Sequence, residues 1–285
     1  MSIPSDLTYT PLFTGTDLSG WTQIPRSYGP LYPGGPNVLD VVDRFPADYQ
    51  ERADTHPARW TVEDGAVVGR QDPPGSGYGG YLLSDEDFGD FELVVEAKPD
   101  WPADTGIMIR RRPDSWAGLQ ILIDHRRSGS IGGFFGNGIA SFHAVPFALD
   151  ARYDDRGNAI GLGPDDPATS VEPFTEAKRA MLTRATDLDE FLRVWKWGDW
   201  NEFRIRCVGA LPAVTVWIND LLVAEIDLAT LEAPNYDPQA VQEFLGPAGR
   251  IAFEVHDNDP SPGLAEERWA PDAACRWRNA LIARL

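Results

Sequence analysis

"GRIAFEVHDNDP" (Gly249–Pro260) alternates Ile251, Phe253 and Val255 with Ala252, Glu254 and His256. A period of two predicts a β-strand, because successive side chains leave a strand on opposite faces. One face is apolar and belongs in a core. The other carries a carboxylate and an imidazole just before an acidic turn. Two readings of that second face stand: a water-facing surface with ordinary ion pairs, or the floor of a site.

Outward from this stretch, most of the chain reads the same way. Strand signals include "WTVEDGAVVGR" (60–70), "YLLSDEDFGDFELVVEAKP" (81–99), "TGIMIRRRP" (105–113), "LQILIDHRR" (119–127), "EFRIRCVG" (202–209), "AVTVWINDLLVAEID" (213–227) and "CRWRNALIARL" (275–285). Turn residues punctuate them: "EDG" at 63–65, "FGD" at 88–90 and "IND" at 218–220. Many short strands without alternating helices predict an all-β sandwich or barrel. Two stretches read as helical. "YDPQAVQEFLG" offers Asp237 as N-cap, Pro238 in the first turn and Gly246 past the end. "SVEPFTEAKRAMLTRATDLDEFLRVW" (170–195) spaces Phe174, Ala177 and Met181 helically, as a small amphipathic cover. Residues 26–59 and 150–172 read as loops, and long loops in a compact β domain usually carry function.

The chain has 285 residues, 42% of them hydrophobic, enough for one sizeable core. It is expected to form a single domain over 1–285, with loop insertions near 22–59 and 144–198. The net charge of −19 repels phosphate backbones and anionic lipid, so neither nucleic acid nor a membrane is an expected partner. The two cysteines, Cys207 and Cys275, have no CxxC neighbour; they read as core thiols, with a single bridge left open. No run is long and apolar enough for a membrane span, and "MSIPSDLTYTPLF" lacks a basic n-region and an apolar h-region, so the expectation is a cytoplasmic protein.

Several segments together resemble one family. "LFTGTDLSGW" (12–21), "WTVEDGAVVG" (60–69), "GYLLSDEDFGDFELVVEAK" (80–98), "DTGIMIRR" (104–111), "LQILID" (119–124), "DWNEFRIRCVG" (199–209), "VWINDLLVAEID" (216–227) and the closing "CRWRNALIARL" occur in the order of the 3-keto-disaccharide hydrolase family. The resemblance implies a two-sheet jelly-roll sandwich like that of concanavalin A-like lectins and glucanases. It also implies cleavage of glycosides already oxidised to a ketone at C3. Two departures stand out. Some fifty residues separate the segment after "LQILID" from "WNEF", and Glu254 stands where relatives often place glutamine.

A C3 ketone acidifies the hydrogen at C2. A base removes it, the C1 substituent leaves by elimination, and water adds back. Such a site needs a general base and an electrophile for the enolate oxygen. Ordinary glycoside hydrolysis needs two flanking carboxylates instead. The Glu-x-Asp-x-x-Glu spacing of laminarinase-like enzymes is absent; "EDFGDFE" (86–92) places Phe88 where Asp is required.

By strand parity, Arg110, Gln120, Asp124, Glu254 and His256 share non-core faces and are expected to converge. His256 is the expected base or metal ligand. Glu254 and Asp124 are carboxylates for acid–base or ligand work, and Arg110 is the oxyanion partner. Glu254 and His256 suit a divalent ion such as Ca²⁺, Mn²⁺ or Zn²⁺; no organic cofactor is expected. Candidate substrate contacts are Gln120, His125 (of opposite parity to Asp124), His143 (lid or plain loop) and Trp101. Trp116, Trp195, Trp197 and Trp200 are further stacking candidates. Asp257 and Asp259 read either as calcium ligands or as an acidic turn. The competing reading is a lectin-like carbohydrate-binding module without chemistry.

Overall fold

In a computed structural model, which describes residues 7–42, 45–258, 264 and 267–285, the strand signals assemble into two packed antiparallel sheets. The nine-stranded sheet runs β13 (Arg184–Ala185), β16 (Leu221–Asp227), β15 (Ala213–Ile218), β14 (Asn201–Val208), β6 (Phe91–Pro99), β18 (Cys275–Arg284), β4 (Ala66–Arg70) and β3 (Arg59–Glu63), with β1 (Thr10–Pro11) also on β18. The seven-stranded sheet runs β10 (His143–Ala144), β9 (Ile131–Asn137), β8 (Gly118–His125), β7 (Ala103–Arg111), β17 (Arg250–Val255), β5 (Gly80–Ser84) and β2 (Trp21–Pro25). A separate hairpin pairs β11 (Leu149–Tyr153) with β12 (Ala159–Pro164). Neighbours distant in sequence, such as β17 between β5 and β7, mark the jelly-roll connectivity of a concanavalin A-like sandwich.

The apolar set of the opening stretch faces the other sheet. Phe253 of β17 stacks on Trp277 of β18, with ring centroids 4.5 Å apart and planes 7° from parallel. Trp21 stacks on the same phenyl ring at 5.2 Å. Large aromatic area removed from water between two sheets is the main stabilising term for such a sandwich. The turns form where expected. Asp64 and Gly65, and again Asn219 and Asp220, take positive φ, the backbone that two-residue hairpins demand.

The opposite face of the seven-stranded sheet is also covered. Every residue of β7 and of β8 is buried, whereas a sheet with one wet face would alternate. The segment 26–59, read as loop, contributes α1 (Val38–Val41) and α2 (Tyr49–Thr55). Tyr49 and Ala53 are buried, so α2 packs its apolar side inward. The segment after β10 holds the β11–β12 hairpin, α3 (Glu176–Ala180) and α4 (Leu188–Val194). The expected helical cover over 170–195 is thus two short helices, separated by β13 at the sheet edge. α5 (Pro238–Leu245) forms as expected, with Asp237 accepting from the Gln239 and Ala240 amides. Among the described residues no helix is long and apolar enough to cross a membrane. Cys207 and Cys275 are both buried and free; they sit opposite Phe91 and Pro99, at the two ends of β6.

Candidate active site

Register builds the site. Asp104 of β7 lies opposite Asp124 of β8, Met108 opposite Gln120, and Gln120 opposite Phe135 of β9. His143 of β10 also pairs with Phe135. Asp104, Asp124, Gln120, Phe135 and His143 floor a cavity of about 290 Å³, walled by the 26–42 segment and by Glu172 from the insertion.

On one side stands Arg26, just beyond β2. It is 4% exposed, although burial opposes its charge. Its Nη1 donates to Glu254 and, at 3.0 Å, to the Tyr81 hydroxyl, while its Nε lies 3.1 Å from Asp257 Oδ1. Its Nη2 lies 3.0 Å from His256 Nε2. A guanidinium only donates, so Nε2 accepts and Nδ1 carries the imidazole hydrogen. That Nδ1 lies 2.7 Å from Asp257 Oδ1 and 2.8 Å from the Asp257 carbonyl. Tyr28 and Tyr49 donate to the same carboxylate. Burial would raise the Asp257 pKa, but Arg26 and His256 outweigh it and hold the group ionised.

On the other side are four ionised groups, Asp104, Glu172, Arg126 and Arg268, and the Asp124 carboxyl. Asp104 accepts from Arg126 Nε at 2.7 Å and from Arg268, and Glu172 accepts from the same two arginines at 2.7 Å each. Burial opposes both charges, yet the arginines (with His256 for Asp104) pull both carboxylates well below their usual range. Asp124 lies 3.7 Å from Arg126 Nη2. Burial first, and the Asp104 charge second, push its carboxyl well above the ordinary range. His143 is pushed down to about 4, chiefly by burial, so it is neutral at pH 7.

Of the residues expected from sequence, Gln120, Asp124, His143 and His256 line this cavity together. Glu254 does not line it. It is fully buried, with its two oxygens bound to Arg26 and to the Gln120 amide, and it holds those groups in place. Arg110 does not converge either. A β-bulge falls between β7 and β17, and Arg110 takes φ 50°, which breaks the strand alternation. Its guanidinium meets the Pro247 and Gly209 carbonyls and Asp90 instead. His125 and Trp101 lie in a different cavity with Trp197. Of the remaining tryptophans, Trp116 lines the first cavity and donates to the Pro30 carbonyl at 2.9 Å. Gly29 is needed there, because a Cβ on it would fall 2.5 Å from the indole. Trp195 is buried against Phe191, and Trp200 lies under Arg278.

Sequence reasoning missed Arg26, Asp104, Arg126, Glu172, Asp257 as a partner of His256, and Arg268. Asp104 carried a signal: it precedes Gly106 and Met108 at the same parity. Arg26 continues the Thr22 and Ile24 face. Glu172 and Arg268 lie in irregular segments and carried none.

The Glu254–His256 pair does not fit a divalent ion. Both Glu254 oxygens and His256 Nε2 face nitrogen donors, and a cation there would meet the Arg26 guanidinium. Among the described residues no three His, Cys, Asp or Glu side chains group as a ligand set. Asp257 is occupied by Arg26, Tyr28 and Tyr49, and Asp259 lies outside the described residues.

Comparison with solved structures finds similar chains at low identity. A candidate glycosyl hydrolase from Parabacteroides distasonis is 14% identical with a TM-score of 0.47, over 97% of this chain and 94% of that one. A β-1,3-glucanase from Mycobacterium marinum is 10% identical with a TM-score of 0.44, over 98% and 100%. The carbohydrate-binding module CBM66 from Bacillus subtilis is 12% identical with a TM-score of 0.41, over 79% and 91%. No curated protein matches the chain. The family described as 3-keto-alpha-glucoside-1,2-lyase-like domain matches residues 8–282, nearly the whole length. The chain therefore belongs to the 3-keto-alpha-glucoside-1,2-lyase-like domain family, among carbohydrate-acting proteins.

Proposed function

We propose that the protein cleaves 3-keto-glycosides by removing the C2 proton, eliminating the C1 substituent and adding water. The observation that carries this reading is the contact of His256 Nε2 with Arg26 Nη2 at 3.0 Å in the cavity wall. The C2 hydrogen and the C3 oxygen sit on neighbouring substrate atoms, so the reaction needs a base and an oxyanion partner side by side.

The roles follow from the contacts. His256 Nε2, released when Arg26 Nη2 turns from it to the C3 oxygen, takes the C2 proton, and the electron pair moves into a C2–C3 double bond. Arg26 holds the resulting C3 enolate oxygen. Asp257, bound to Nδ1, orients the imidazole and stabilises the imidazolium. The enolate then collapses to restore the C3 carbonyl, a C1–C2 double bond forms and the C1–O bond breaks. Asp124, kept protonated by burial and by Asp104, donates its proton to the departing oxygen. Its carboxylate next draws a proton from water as the oxygen adds at C1, and His256 returns a proton to C2. Gln120 and His143 face the sugar from the floor. Glu254 keeps Arg26 and Gln120 in position.

Mass-spectrometric analysis of products tests the reading. The protein is incubated with a 3-keto-glucoside and with the unoxidised glucoside, each with and without a chelator. Aglycone release from the keto sugar alone, in both conditions, is expected. Release from the unoxidised sugar would point to a two-carboxylate route, and release from neither would favour the binding-module reading.

A further inference from the structure

Asp124 lines the first cavity, and its chain neighbour His125 lines a second. That second cavity is larger, about 680 Å³, and its walls include Trp101, Trp197, Asp100, Asn158 and Asp272. Both tryptophans are only partly buried. Their rings lie 5.7 Å apart and each is 5.1 Å from the His125 ring. An adjoining cavity shares Trp101 and Ala159 and extends to Tyr153, which is 53% exposed on the β11–β12 hairpin.

His125 gives this surface a feature that packing alone does not explain. It is 2% exposed, and its Nδ1 lies 2.8 Å from the Asp100 carbonyl oxygen. A carbonyl accepts, so Nδ1 carries the hydrogen and Nε2 is an acceptor. Among the described residues, that Nε2 has no hydrogen-bond partner. A buried polar atom is ordinarily satisfied, and an unsatisfied one in a residue that lines a cavity suits a ligand hydroxyl.

We infer that Trp197, Trp101 and Tyr153 form a second saccharide site, outside the reaction cavity, that binds a neutral oligosaccharide. Pyranose rings present apolar C–H faces to the aromatic rings and hydroxyls to their edges. His125 Nε2 accepts one hydroxyl, and Asp100, Asn158 and Asp272 supply polar partners along the rim. Two contiguous cavities fit more than one sugar ring. The first cavity gathers three arginines; in this site the charged lining residues are Lys98, Asp100, Asp272, Arg127 and Glu267, with Asp100 paired to Arg276 and Arg127 to Glu267. Among the described residues no cationic cluster therefore selects an anion, and the site takes uncharged glycan. The inference does not depend on the reaction proposed above.

Calorimetric titration of the whole protein with maltohexaose and with cellohexaose tests it. At least one hexasaccharide is expected to bind the wild type, and to bind His256→Ala equally well. The double variant Trp101→Ala/Trp197→Ala should weaken binding about tenfold or more, as removal of aromatic anchors does elsewhere. Tyr153→Ala, at an exposed position that leaves the fold intact, should weaken it by a smaller factor. Turnover of a small keto-glucoside should stay within about twofold in Tyr153→Ala. No binding of either sugar to the wild type, unchanged binding in both aromatic variants, or loss of binding in His256→Ala would each overturn the inference.

Discussion

Asp124 and His125 are consecutive in β8, and each serves a different cavity. Around Asp124 the walls carry three arginines, four other carboxylate or imidazole groups and the rings of Tyr28, Trp116 and Phe135. Around His125 they carry two tryptophans with Lys98, Asp100 and Asp272 and, among the described residues, no arginine. Both residues are equally buried, yet burial acts oppositely on their charge. It raises Asp124, which favours the protonated acid, and lowers His125 to about 4, so that the base stays neutral. Burial by itself therefore marks neither as catalytic. What differs is the company: Asp124 sits among charges that can stabilise a reaction coordinate, and His125 among rings that cannot.

The largest expected effect breaks the comparison at its chemistry. His256→Ala should lower kcat on a keto-glucoside by roughly 10²–10⁴-fold, the usual worth of a positioned base. His125→Gln should leave kcat within about twofold. Both are read by steady-state kinetics, with circular dichroism to confirm the fold. Comparable losses in the two variants would erase the distinction between the cavities. Arg26→Lys keeps the charge that Glu254 and Asp257 require but loses the planar fork. A fall of about 10²-fold in kcat is expected, as for loss of one oxyanion donor. An unchanged rate would remove Arg26 from the mechanism.

The tryptophan side is sharpened by stability rather than rate. His125 is pushed down to about 4 from an ordinary 6.5. A depressed imidazole contributes stability that is complete above pH 6.5. It is lost as pH falls from 6.5 toward 4, because the unfolded chain binds the proton first. For His125 this amounts to about 3 kcal/mol. Denaturant unfolding at pH 7 and pH 4.5 should show the loss, and His125→Gln should reduce it. A slope that His125→Gln leaves unchanged would assign the effect elsewhere, His143 being the other depressed imidazole.

The sandwich was legible because its signals are local. Alternation in "RIAFEV" and the "EDG" and "IND" turns depend only on neighbours in sequence, and each formed as read. The reaction cavity was legible only as far as parity held. Gln120, Asp124 and His256 keep strict alternation and converge. Arg110 obeyed the same pattern in sequence, but a bulge with positive φ turned it away. A bulge depends on the pairing partner, which a single strand does not announce. Arg26 and Glu172 reach the cavity from segments that read as loops, where no period predicts direction. His125 kept the parity opposite to Asp124 and so faces the other cavity, where Trp101 lies with it.

The smallest effect isolates the role of the insertion. Glu172 takes positive φ at 44° and binds Arg126 and Arg268 across the cavity from Asp104. It is the fourth influence on Asp124, after burial, Asp104 and Arg126, and its negative charge raises that carboxyl. If Asp124 donates the leaving-group proton, activity falls as pH rises through its elevated pKa. Glu172→Gln removes one negative charge, so Asp124 should ionise at lower pH and the alkaline limb should move down. The rate at pH 6 should change by only about two- to fivefold, since Asp104 still pairs both arginines and Glu172 ranks behind burial, Asp104 and Arg126 in its effect on Asp124. Asp124→Asn, close in shape to the neutral acid, should fold normally and show residual activity without that limb. A limb that persists in Asp124→Asn, or that stays fixed in Glu172→Gln, would assign the proton to another group.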